Sequence, residues 1–167
     1  MNRPVNVRVP GRVNLIGDHT DYTGGLVLPI AIDRWTDVRG TRADRVRLTS
    51  SDAVDPVDFA LDGSDGSPTA GWGRYVAAVL AGMGPAHGIE GTVTTTIPVG
   101  AGLSSSAALE LAVALALGFD GSAVELAKLA QRAERRAIDV PTGIMDQLCI
   151  ASARSGHAML IDCHTLD

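Results

Sequence analysis

The chain has 167 residues, of which 46% are hydrophobic and 20% charged, with 19 glycines and a formal net charge of -5. That composition excludes a disordered chain and suits one globular domain, and its acidic balance argues against a nucleic-acid partner, because a phosphate backbone calls for a basic surface. Two cysteines, Cys149 and Cys163, are too few for a disulfide framework; both stand in apolar stretches, as buried thiols do in a reducing cytoplasm. The first residues lack the apolar core of a secretory signal, and the longest apolar run, 111–117, falls far short of the roughly 20 residues that cross a bilayer. A soluble chain with no membrane partner is expected.

Val5, Val7 and Val9 alternate with polar residues and predict a strand that ends at Pro10 and Gly11. A polar loop follows over 14–25. The apolar run 26–32, then 36–41 and 45–50 on either side of a polar turn, reads as a meander, with 57–61 as an edge strand. Residues 62–71, rich in Asp, Gly, Ser and Pro, predict an exposed loop. Trp72, Tyr75, Val76, Val79, Leu80 and Met83 recur at the spacing of an amphipathic helix over 72–83. Strand returns over 92–97 and loop over 98–103, before a helix over 104–117 that starts at Ser104 and is rich in Ala and Leu. Ser122 and Glu125 form a capping box for a helix to about 136, Thr142 caps one from 143 to about 153, and 158–161 closes with a strand. Strands first, then helices interleaved with single strands, predict an α+β layer in one domain, with no internal repeat.

Three stretches carry chemistry. PVGAGLSSSA, at 98–107, stands between a strand and a helix, where glycines let amides approach an anion and the helix N-terminus offers unpaired N–H groups. No Lys follows those glycines, so phosphate bound there needs a cation such as Mg2+, which Ser106 and one carboxylate could hold; a glycine turn before a Ser-capped helix is the alternative. GRVNLIGDHTDY, at 11–22, concentrates Arg, Asn, Asp, His and Tyr on a glycine-bounded loop, and suits either polyol recognition or a solvated surface. In VPTGIMDQ, at 140–147, Asp146 lies among Ile144, Met145 and Leu148, as a paired structural carboxylate or a functional one. Glu134, between Arg132, Arg135 and Arg136, reads as part of an exposed ion-pair face.

Taken in order, GRVNLIGDHTDY, PVGAGLSSSA and GIMDQ resemble the signature, the ATP-binding motif and the catalytic-Asp segment of the galactokinase branch of the GHMP small-molecule kinases. The closing HAMLIDC is similar to the strand that follows in that family. The resemblance extends over essentially the whole chain. It implies an N-terminal domain of the ribosomal-protein-S5-domain-2-like α+β type, with the signature loop at 11–25, the phosphate loop at 98–107 and the catalytic segment at 141–147. It also implies an ATP-dependent transfer of a phosphoryl group to the anomeric hydroxyl of galactose, the first committed step of galactose metabolism.

Carried over by motif, Asp146 would act as base and Arg12 would assist at the reacting hydroxyl. Asp18, His19, Asp21 and Gly143 would meet the sugar. Gly100, Gly102, Leu103, Ser104, Ser105 and Ser106 would hold ATP, with Ser106 and Glu134 as Mg2+ ligands. Asp18 stands where the family carries Glu, and Ala101 where Gly is frequent; the shorter carboxylate bears on sugar choice, with arabinose and N-acetylgalactosamine kinases as alternatives. A non-catalytic sensor of galactose and ATP is a further one, and a nucleic-acid-binding domain of the same fold is disfavoured by charge. The family's C-terminal domain has no counterpart in these residues, so the fragment by itself is expected to be weakly active or inactive.

Overall fold

The structure, a computed structural model, describes residues 3–66 and 70–166; of the loop expected over 62–71, positions 67–69 lie outside the described residues. The chain runs β1 (Pro4–Asn14), β2 (Leu26–Val27), β3 (Pro29–Ala43), β4 (Arg45–Ser50), β5 (Val57–Ala60), α1 (Gly73–Met83), β6 (Gly88–Thr95), α2 (Ser105–Ala116), α3 (Ala123–Ile138), α4 (Met145–Ser152) and β7 (Ile161–Asp162). This is the expected α+β class. A five-stranded sheet has the order β1-β3-β6-β4-β5, and a small second sheet pairs β2 with β7.

The expected meander is corrected. β6 inserts between β3 and β4, antiparallel to the first and parallel to the second, so β3 and β4, neighbours in sequence, are not partners in the sheet. Glycines permit the insertion: Gly40 lies opposite Gly91, and a Cβ on either would run into the facing backbone. β6 also starts at Gly88, ahead of the expected 92. The apolar run 26–32 is divided, because β3 opens at Pro29, where a strand needs no N–H donor. β1 does not stop at Pro10 and Gly11 but continues to Asn14. It is an edge strand, where a proline is tolerated, and a register shift between Pro10 and Arg12 absorbs the irregularity.

Val46 and Leu48 of β4 point inward while Arg47 points out to Asp58, so the sheet keeps one solvated face. The buried face gives Val9, Val38, Ile89 and Val93 to a core completed by Val76, Val79, Leu111, Leu126 and Leu129 of the helices. Full burial of a side chain such as Leu111 is worth about 1.5–3 kcal/mol. A second cluster, formed by Val27, Ile144, Met145, Leu148, Cys149 and Ile161, fastens α4 to the small sheet. β7 is shorter than the expected 158–161; Ala158 makes only an isolated bridge to Ile30.

Helix ends divide by the range of the interactions that set them. The capping box of α3 forms as expected, with Ser122 accepting from the Glu125 N–H and the Glu125 side chain returning to the Ser122 N–H. Thr142 does not cap α4, which begins at Met145; its carbonyl instead accepts from Gln131 and Arg135 of α3. Among the described residues, no helix is long and apolar enough to cross a membrane.

Candidate active site

The loop after β6 is exposed through 98–102 and then dives into α2. Gly100 and Gly102 hold φ of 78° and 71°, in the left-handed region, and a Cβ on either would meet nothing within 4 Å. Their backbone faces open space. Ala101 is not among the positive-φ residues, so its methyl group causes no strain. The first N–H groups of α2 have no intrahelical acceptor, and this end of the helix carries the positive end of its dipole.

Ser104 departs from the expected helix start. It takes a left-handed φ of 59°, caps nothing, and sends Oγ to Asp146 Oδ2 at 2.5 Å. On the other side of Asp146, Arg12 places Nε and Nη2 on Oδ1 at 2.8 and 2.6 Å, and its Nη1 donates to the Gly102 carbonyl at 2.7 Å. Arg12 arrives from β1, not from the loop beyond it. Its N–H donates to the Leu103 carbonyl at 3.3 Å, an approach that Gly11 permits, since a Cβ there would sit 2.8 Å from the same oxygen. The 140–147 stretch, β1 and the glycine loop therefore meet at one carboxylate, with the Asp146 side chain a quarter exposed.

Asp21 packs against Gly143, where any Cβ would collide with its carboxylate. Burial raises the Asp21 pKa above the ordinary carboxylate value, with the charge of Asp146 adding to the effect; Arg12 and the N–H groups of Tyr22 and Met145 oppose it. Asp18 and His19 stand on the exposed rim of the loop. Asp18 accepts from Asn14 at 2.6 Å, and His19 pairs with the Tyr22 hydroxyl at 3.0 Å. Thr20 closes the loop by donating to the carbonyls of Gly17 and Leu26.

Glu134 corrects the expectation of an exposed ion-pair face. It is buried, accepting from Ser106 Oγ on Oε1 and from Gln147 Nε2 on Oε2, both at 2.8 Å. Its neighbours in sequence are arginines, but its partners come from α2 and α4. A hydroxyl and a carboxylate side by side beside an anion cradle are hard oxygen donors suited to Mg2+. Among the described residues no three His, Cys, Asp or Glu side chains form a metal-binding group, so a cation held by Ser106 and Glu134 would complete its shell with phosphate and water.

Two features were missed from the sequence. One is Ser104 as a partner of Asp146, for which the serine run gave no signal of role. The other is a cavity of about 750 Å3 next to the phosphate loop, walled by Val57, Phe59, Trp72, Val93, Val99 and Leu109. Trp72, a member of the amphipathic stripe expected over 72–83, lines this cavity and donates its indole N–H to the Asp55 carbonyl at 2.9 Å. Cys149 lies where expected, with burial pushing its thiol up to about 11, whereas Cys163 is only partly buried.

The galactokinase galactose-binding signature matches residues 2–41 and the GHMP kinases N terminal domain matches 73–154. Galactokinase of Roseiflexus sp. (strain RS-1) is 47% identical over 97% of this chain and 44% of its own length. That of Thermococcus kodakarensis is 43% identical over 98% and 48%. The crystal structure of Lactococcus lactis galactokinase complexed with galactose superposes with a TM-score of 0.87 at 32% identity, covering 99% of this chain and 46% of that one. The chain thus spans about half the length of the curated relatives it matches.

Proposed function

This chain belongs to the galactokinase branch of the GHMP kinases and has the fold of their N-terminal domain, and from that membership we propose that it serves the transfer of the ATP γ-phosphoryl group to the anomeric hydroxyl of galactose. The observation that carries the reading is the convergence of Arg12, Ser104 and Asp146 at the mouth of the glycine loop. Phosphoryl transfer requires positioning and charge stabilisation above all, and this cluster supplies both next to an anion cradle.

In this reading the amides of 100–106 and the N-terminus of α2 hold the phosphates, and the cavity beside Trp72 takes the adenine. Ser106 and Glu134 would hold Mg2+, which when bound would neutralise phosphate charge. Asp146 orients the sugar hydroxyl and receives its proton, while Arg12 and Ser104 keep the carboxylate from turning away. Asp21, Asp18 and His19 accept from or donate to the remaining hydroxyls, and Gly143 leaves Asp21 its place. Asp18, tied to Asn14, is the residue we assign to the choice among galactose and related sugars.

The exposed stretch at 98–102 needs a wall to exclude water from the reacting groups. We assign that wall to a C-terminal GHMP domain of the same protein, and expect the isolated 167-residue chain to be weakly active or inactive. A panel of sugars with Mg-ATP, assayed on the full-length protein for sugar 1-phosphate, tests the reading. Galactose 1-phosphate is the expected product, and failure to phosphorylate any aldose would overturn it.

A further inference from the structure

Glu110, on the inner side of α2, is fully buried, and neither of its carboxyl oxygens has a hydrogen-bond partner among the described residues. Beside it stands the amide of Gln147, also fully buried. Gln147 Nε2 donates to Glu134 Oε2 at 2.8 Å, while its Oε1 has no partner. Three buried acceptor oxygens, two of Glu110 and one of Gln147, lack a donor among the described residues, an arrangement that costs free energy. A proton on Glu110 resolves the conflict, because its O–H becomes the donor that Gln147 Oε1 lacks.

We infer that Glu110 is a positioning residue for the cation site: it donates to Gln147 Oε1, so that Nε2 faces Glu134 and the Glu134 carboxylate is aimed at Ser106. The inference deepens the kinase reading above and rests on it. An ionised Glu110 would do the reverse, drawing the Gln147 NH2 group to itself and turning the amide oxygen on Glu134. The neutral form is the one its surroundings favour. Burial holds the Glu110 pKa well above the usual carboxylate range, and the negative charges of Glu134 and Asp146 act in the same direction, outweighing the opposing pull of the Gln147 side chain. Outer groups of this kind set the orientation of metal-binding side chains.

The test uses the full-length protein, with Mn2+ as the probe, a non-hydrolysable ATP analogue present, and bound ion counted by electron paramagnetic resonance. Glu110→Met keeps the bulk and removes the donor, and weakens Mn2+ binding by about tenfold, the lower end of the usual effect of losing such a partner. Glu110→Gln restores a neutral donor and stays within about twofold of the parent. A Glu110→Met protein that melts earlier yet binds Mn2+ as the parent does assigns the residue to packing and overturns the inference. So does a Glu110→Gln protein as impaired as Glu110→Met.

Should Glu110→Met fail to fold, infrared spectroscopy of the parent and Glu110→Gln decides. A protonated-carboxyl band present in the parent and lost in the variant supports the inference, and its absence from the parent overturns it. A parent protein that binds no Mn2+-nucleotide at all removes the kinase reading itself, and is distinguished by appearing before any substitution is made.

Discussion

Arg12 and Asp146 lie 134 positions apart in sequence, and the guanidinium places two nitrogens on one carboxylate oxygen, at 2.8 and 2.6 Å, while Ser104 takes the other. The acid is held from both sides, with one Oδ2 lone pair left for the hydroxyl of the proposed reaction. Asp146→Asn preserves shape and removes the negative charge. Its kcat is expected to fall by about 10²–10⁴-fold, the usual worth of a positioned general base, with both KM values within a few-fold of the parent. Arg12→Lys keeps a charge but not the fork that reaches Asp146 and Gly102 together, so kcat falls without the loss of fold that a neutral replacement risks. Steady-state kinetics on the full-length protein checks both, and an Asp146→Asn enzyme with the parental kcat removes the base from the mechanism.

Gly143 and Asp21 make the second test. No Cβ fits at 143 without displacing the Asp21 carboxylate, whose atoms are the three nearest to it. Gly143→Ala should therefore raise the KM for sugar, on the order of tenfold for about 1.4 kcal/mol of misplaced contact, and leave the KM for ATP unchanged. Equal rises in both would mean that the substitution disturbs the whole site rather than the sugar side.

Asp21 also gives a pH dependence with a definite sign. Burial raises its folded pKa above the unfolded value, so the folded chain binds that proton more tightly and stability declines as pH rises through the window between the two. Below the ordinary carboxylate range Asp21 is neutral in both states, and the penalty is absent. Asp21→Asn should melt at a higher temperature than the parent at neutral pH, with the difference closing as pH falls through that range, while sugar affinity drops. Thermal melts across pH check this. A difference that grows toward acid contradicts the assigned cause.

What could be read from the sequence was local. The capping box needs only Ser122 and Glu125, and the stripe of α1 needs only one helix; both form as expected. The three motifs were also legible, and the fold brings Arg12 onto Asp146 and Ser106 onto Glu134. What could not be read depends on partners distant in sequence. Glu134 was expected on the surface because of its arginine neighbours, yet Ser106 and Gln147, 28 and 13 positions away, bury it. β6 separates β3 from β4 through Gly40 and Gly91, which no turn signal reveals. Pro10 does not end β1, because only the assembled sheet makes that strand an edge.

Trp72 offers the test of the nucleotide side. It lines the cavity beside Val99 of the phosphate loop and Leu109 of α2, and is held by the bond from its indole to the Asp55 carbonyl. Trp72→Ala removes a stacking surface of the kind worth about 1–3 kcal/mol per base, so the KM for ATP should rise by about tenfold or more while the KM for sugar stays put. Trp72→Phe separates the two roles: it keeps a ring for stacking but loses the donor to Asp55. A Phe variant close to the parent in KM for ATP and slightly less stable assigns the affinity to the ring. An Ala variant with unchanged KM for ATP would show that adenine is bound elsewhere, and would leave the 750 Å3 cavity without a part in the reaction.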